Sequence, residues 1–117
     1  MIKNKSGVWG EIYTARYLRD NGYKIITSNY SCRFGEIDLI AQKNGVLCFV
    51  EVKTRDENSL TRPADAVDEG KQSRITATAE NFIVFSGIQE DMRFDVCEVL
   101  LDGNMKVTDL NYIENAF

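Results

Sequence analysis

The dipeptide Asn44-Gly45, set between two alternating apolar stretches, constrains this chain more than any other feature. Asn-Gly favours the two-residue turn whose twist matches a pair of antiparallel strands, so Glu36 to Gln42 and Val46 to Lys53 are expected to form a hairpin. Turn geometry then sets the register, with opposed residue numbers summing to 89: Lys43 faces Val46, Ile40 faces Phe49, Asp38 faces Glu51 and Glu36 faces Lys53. Because side chains alternate along a strand, Glu36, Asp38, Ile40 and Gln42 should share one face with Lys53, Glu51, Phe49 and Leu47. The other face should be wholly apolar, formed by Ile37, Leu39, Ala41, Cys48, Val50 and Val52.

The rest of the chain supplies one strand and one helix before the hairpin, and a helix and further strands after it. Ser6 is placed to cap a helix that runs to Asn21 and stops at Asn21-Gly22, with Val8, Ile12, Ala15 and Leu18 as its buried stripe. Tyr23 to Tyr30 reads as a strand. Asp68 to Phe85 has a helical stripe of Ile75, Ala79 and Phe82, closed by Gly87. Arg93 to Leu101 reads as a strand, followed by a turn at Asp102-Gly103-Asn104 and a short strand from Met105 to Thr108. Three strands in a meander, then a helix and a further strand, predict a parallel crossover. The expected fold is a single small α/β domain over residues 1–117 with a mixed sheet.

Composition narrows the chemistry. Three cysteines, Cys32, Cys48 and Cys97, and no histidine exclude a disulfide framework, a Cys/His zinc site and every histidine-based catalytic triad. A reducing cytosol suits free cysteines. The longest apolar run is Val46 to Val50, too short to span a bilayer, and the polar start Met1-Ile2-Lys3-Asn4-Lys5 does not resemble a signal peptide. Carboxylates, lysines, arginines and tyrosines remain as reactive groups.

The hairpin register brings Asp38 and Glu51 face to face, where like charges repel by about 3 kcal/mol at 5 Å and an effective dielectric of 20. A cation must offset that repulsion: Lys53 on the same face, or a divalent ion held by both acids. Ile40, Leu47 and Phe49 show that the same face is covered, and Glu11 falls at helical spacing with Val8, Ala15 and Leu18. Three acids and a lysine bordering a core suit a Mg²⁺ site, with Mn²⁺ as substitute. Such a site can hydrolyse a phosphodiester without histidine, the ammonium positioning water or stabilising developing charge.

The segments Gly35-Glu36-Ile37-Asp38-Leu39-Ile40-Ala41 and Phe49-Val50-Glu51-Val52-Lys53-Thr54-Arg55 carry a resemblance to the YraN-type family of small bacterial proteins. That family is related to archaeal Holliday-junction resolvases and the restriction-endonuclease-like superfamily. Gly10-Glu11, Gly22-Tyr23, Pro63, Ala66-Val67, Lys71, Arg93-Phe94-Asp95-Val96 and Asn115-Ala116-Phe117 extend the likeness nearly end to end, with Thr61 standing where family members tend to have Gly. The resemblance implies a restriction-endonuclease-like core and metal-dependent cleavage of nucleic acid, in particular DNA and branched DNA. It matches Asp38 and Glu51 to the metal-binding acids, Lys53 to the catalytic lysine and Glu11 to a glutamate of the first helix. Glu36 is a further candidate. Resolvase-like relatives also act as homodimers.

Phosphate contacts are expected from Arg33, Arg55 and Arg62 around the hairpin, and from Lys71 and Arg74 at the start of the second helix. Trp9, Tyr13 and Tyr17 form a row that suits a core edge or dimer contact better than a base-stacking platform. Asp95 beside Arg93 suits a structural ion pair. The overall charge of −4 argues against a nucleic-acid partner, but it is unevenly spread. Residues 1–62 hold ten Lys and Arg against seven Asp and Glu, whereas residues 63–117 hold four against eleven. Non-specific binding should therefore be weak and reduced by salt. A nucleic-acid-binding or adaptor module without catalysis, and an RNA nuclease, remain open readings.

Overall fold

A computed structural model describes residues 4–57 and 67–117. Its elements follow in the order α1 (Lys5–Asp20), β1 (Lys24–Cys32), β2 (Gly35–Lys43), β3 (Val46–Asp56), α2 (Glu69–Ser86), β4 (Asp91–Leu101) and β5 (Val107–Ile113). The strands form one mixed sheet in the order β1-β2-β3-β4-β5. Among the described strands only β3 and β4 pair in parallel, and α2 lies between them in the chain, as the expected crossover requires.

The two helices take opposite faces of the sheet. Leu18 of α1 packs with Leu39, Ala41, Cys48 and Val50 and with Cys97 and Val99 of β4. Ile75, Ala79 and Phe82 of α2 pack with Ile37, Ile40, Leu47 and Phe49. Asp68 caps α2 by accepting Lys71 N–H at 2.8 Å, and Gly87 ends it at φ 73°. Asp95 is fully buried and ion-paired to Arg93, and it also accepts hydrogen bonds from Tyr112 and from Asn115 N–H.

Three local expectations are corrected. Asn4, rather than Ser6, caps α1, its side chain accepting Gly7 N–H at 2.8 Å. The last strand is Val107–Ile113, since Met105 turns into the left-handed region at φ 63°. The buried face of α1 is Gly10, Thr14 and Leu18, whereas Val8 and Ile12 are 45% and 39% exposed. Small residues let α1 lie close on β3, and Thr14 satisfies its buried hydroxyl by donating to Gly10 O at 2.8 Å. Trp9, Tyr13 and Tyr17 edge that core: Tyr13 donates to Met105 O and Tyr17 stacks on Tyr112.

A Cβ at Gly10 would meet Thr54 Oγ1 at 1.9 Å and Thr54 Cβ at 3.1 Å. Gly10→Val is expected to destabilise the fold by about 1–3 kcal/mol despite leaving the helix intact. Urea denaturation checks this, and Thr54→Ala in the same chain should recover part of the loss. Full additivity of the two substitutions would contradict the contact.

Candidate active site

The hairpin keeps the expected register from Lys43–Val46 to Leu39–Val50 and then opens. Continuing it would pair Val52 with Ile37, but Val52 N–H donates instead to Asp38 Oδ2 at 2.8 Å. Strand β3 stays paired on its other side, with β4, as far as Asp56–Leu101. One consequence corrects the face assignment: Ile37 joins the core beneath α2 rather than the Leu39 face. The other is that a carboxylate is anchored by backbone at the point where the strands separate.

Beside that opening lies a cleft of about 430 Å³, bounded by Gly35 and Glu36 of β2, residues 51–55 of β3 and the first turns of α2. Asp38, Glu51 and Lys53 line it while being only 6%, 8% and 8% exposed. Gly35 makes the close approach of α2 feasible: its φ is 151°, and a Cβ there would lie 3.2 Å from Thr78 Oγ1. Lys71 and Arg74 of α2 and Arg55 of β3 complete the lining with positive charge.

Glu51 Oε1 lies 2.8 Å from Lys71 Nζ and 3.6 Å from Lys53 Nζ. Burial and the charge of Asp38 push the Glu51 carboxyl above its ordinary value, against the pull of Lys71 and Lys53. Burial, then the neighbouring Lys71 ammonium, brings Lys53 down to about 8, although Glu51 opposes the shift. Burial, the largest single influence, would lower Lys71, but its hydrogen bond to Glu51, its contact with Lys53 and the charges of Glu51 and Asp38 together outweigh that and leave it raised. Two of the cleft's acids, Asp38 and Glu51, are therefore buried beside two ammonium groups of unlike character.

Lys53 should accordingly titrate near pH 8 in the metal-free protein, well below ordinary lysines. Since the unfolded chain binds the extra proton between about 8 and 10.5, this group's contribution makes stability rise with pH across that window. A ¹³C NMR titration of the lysine Cε signals checks this. A Lys53 midpoint among those of the other lysines would contradict it.

Residues 10–99 match the model of a family described as "Uncharacterised protein family UPF0102". The chain belongs to the UPF0102 family. A UPF0102 protein of Alkaliphilus metalliredigens is 43% identical over 112 residues, covering 95% of this chain and 96% of its own. One of Dictyoglomus thermophilum is 39% identical over 118 residues, covering 100% of both. UPF0102 is the YraN-type family of the sequence resemblance, and the matched stretch contains the whole cleft.

Of the UPF0102 residues expected at the site, the fold gathers Asp38, Glu51, Lys53, Glu36, Arg55, Lys71 and Arg74. Glu11 is elsewhere. It lines a groove of about 640 Å³ with Val8, Ile12, Arg16 and Arg19, and a smaller cleft with Asn4, Val52 and Thr54. Glu11 thus approaches the Val52–Thr54 segment from the α1 side, because the stripe it shares with Val8 is not the buried face of α1. Among the described residues, no three acidic, His or Cys side chains are grouped to hold a metal, so the expected three-carboxylate set is not assembled. Glu36 lies between the two regions, lining both the cleft and the larger groove.

Arg33 rests its guanidinium over the Phe34 ring at 4.8 Å and does not line the cleft. Arg62, with Thr61 and Pro63, lies outside the described residues. The direct Lys71–Glu51 pair was missed by sequence reasoning, which placed Lys71 against phosphate at a helix N-terminus; there, the Asp68 carboxylate already takes the Lys71 N–H. The stripe that Lys71 shares with buried Ile75 was legible and turns both toward the sheet, but it does not name Glu51 as the partner there.

Proposed function

We propose that this protein is a metal-dependent nuclease with a restriction-endonuclease-like core, hydrolysing phosphodiester bonds in nucleic acid, with DNA, including branched DNA, as the favoured substrate class. The observation that carries the proposal is the convergence of Asp38, Glu51 and Lys53 in one cleft where the hairpin opens. The donor chemistry fits Mg²⁺ or Mn²⁺: two hard oxygen ligands border an open cleft, leaving other coordination positions to water and substrate phosphate. Asp38 and Glu51 would hold the ion, and Val52 N–H fixes the orientation of Asp38. When bound, the ion polarises the phosphoryl group and acidifies a water.

Lys53 supplies an ammonium beside Glu51 that orients the attacking water or stabilises charge on the phosphoryl oxygens. Arg55 and Arg74 border the cleft where phosphates on either side of the cut would lie. The fold offers no helix long and apolar enough to cross a membrane among its described residues.

Incubation of the purified protein with labelled duplex, single-stranded, four-way-junction and RNA substrates, with Mg²⁺, Mn²⁺ or EDTA, tests the proposal. Cleavage of DNA that requires metal is expected. Cleavage confined to RNA would shift the substrate class, and binding without cleavage would favour the non-catalytic module, a reading consistent with a cleft that gathers two metal-binding acids rather than three.

A further inference from the structure

One oxygen of Glu51 is shared by two ammonium groups, and the two are held differently. Lys53 belongs to β3, which pairs with β4 through Lys53–Glu98, and its side chain is 9% exposed. Lys71 comes from α2, its side chain is 31% exposed, and it makes the shorter contact, 2.8 Å against 3.6 Å. The backbone of Lys71 is fixed by its N–H bond to Asp68, so any movement is that of a flexible four-carbon stem.

A divalent ion on Glu51 would sit about 2.0–2.1 Å from its oxygen if it were Mg²⁺. An ammonium hydrogen-bonded to the same oxygen would then face a double positive charge at close range, which weakens its hold on the carboxylate. Lys71 is the group with a route outward. Arg74, one helical turn further along α2, marks the side of the cleft where a substrate phosphate would offer that ammonium a new partner.

Taking the cleft as the metal-dependent site just proposed, we infer that Lys71 is an internal counter-cation: it holds Glu51 in the metal-free protein, yields the carboxylate to an entering divalent ion, and turns to the substrate phosphate. Lys71 is a positioning residue in this scheme. Metal and phosphate then favour each other's binding, since each removes a cost that the other would otherwise meet.

The test uses the full chain without nucleic acid. Mn²⁺ binding is measured by calorimetry on the wild type, Lys71→Met and Glu51→Gln. In parallel, acetic-anhydride labelling of each lysine is followed by mass spectrometry with and without saturating Mg²⁺. Lys71→Met, which keeps the stem and removes the charge, should bind Mn²⁺ about tenfold more tightly than wild type. In the wild type, Mg²⁺ should raise labelling of Lys71 several-fold and leave Lys53 unchanged. Equal or weaker binding by Lys71→Met, or Lys71 labelling that metal does not alter, overturns the counter-cation while leaving the metal site standing. Failure of both wild type and Lys71→Met to bind Mn²⁺, or binding undiminished in Glu51→Gln, overturns both.

Discussion

Asp95→Ala should destabilise the protein by about 3–5 kcal/mol. Asp95 is 0% exposed, and its carboxylate accepts Arg93 Nε at 2.9 Å, Arg93 Nη2 at 2.9 Å and Asn115 N–H at 2.9 Å, with the Tyr112 hydroxyl as a further donor. Arg93 in turn donates to the Tyr23 hydroxyl at 2.7 Å, so the network ties β4 to β5, to the chain's last turn and to the residue that leads into β1. Removing the carboxylate leaves a half-buried phenol, a backbone N–H and one side of the Arg93 guanidinium without their acceptor, while Glu114 and Tyr23 still hold the rest of Arg93; the combined loss exceeds the net gain from any one hydrogen bond. For a domain whose total stability is about 5–15 kcal/mol, the loss would bring unfolding within reach of ordinary temperatures. Urea denaturation measures it. Asp95→Asn, which keeps the shape and part of the hydrogen bonding, should lose less; equal losses would show that the carboxylate's charge, rather than its packing, carries the whole effect.

Lys53→Met should lower metal-dependent cleavage by about 10²–10³-fold while leaving Mn²⁺ binding in place. The side chain is buried beside Glu51, and Met retains its length and apolar contacts. What is lost is the positive charge that the proposed mechanism places beside the reacting phosphate. Single-turnover rates at saturating metal separate this effect from weakened metal binding. A rate within threefold of wild type would remove Lys53 from the chemistry, and a parallel loss of Mn²⁺ binding would reassign it to holding Glu51.

The parts of the structure that were legible in the sequence are those set by local rules. Asn44-Gly45 determines pairing for several residues on either side, and that register holds through Leu39–Val50. Beyond it, the outcome depends on a side chain capturing a backbone donor across the strands, Asp38 on Val52, which alternation cannot express. Asp38 and Glu51 line one cleft although the ladder that was expected to oppose them ends at Leu39–Val50, and Ile37 was assigned to the wrong face. In α1 the failure has a different origin: close helix–sheet contact is made by Gly10 and Thr14, neither of which registers as apolar, and the visible stripe of Val8 and Ile12 lines a groove instead. Glu11 followed the wrong stripe for that reason. Lys71 needed the tertiary placement of α2 against β3 before its partner could be named.

Whether the cleft is a metal-dependent active site is decided most directly by cleavage of an end-labelled DNA by wild type, Asp38→Ala and Glu51→Ala, each with Mg²⁺ and with EDTA. Wild type should cleave with Mg²⁺ alone, and each substitution should lower the rate about 10²–10³-fold or more with the fold retained. Cleavage that persists in EDTA, or at the wild-type rate in both variants, or that is absent from wild type on every nucleic acid offered, would contradict it.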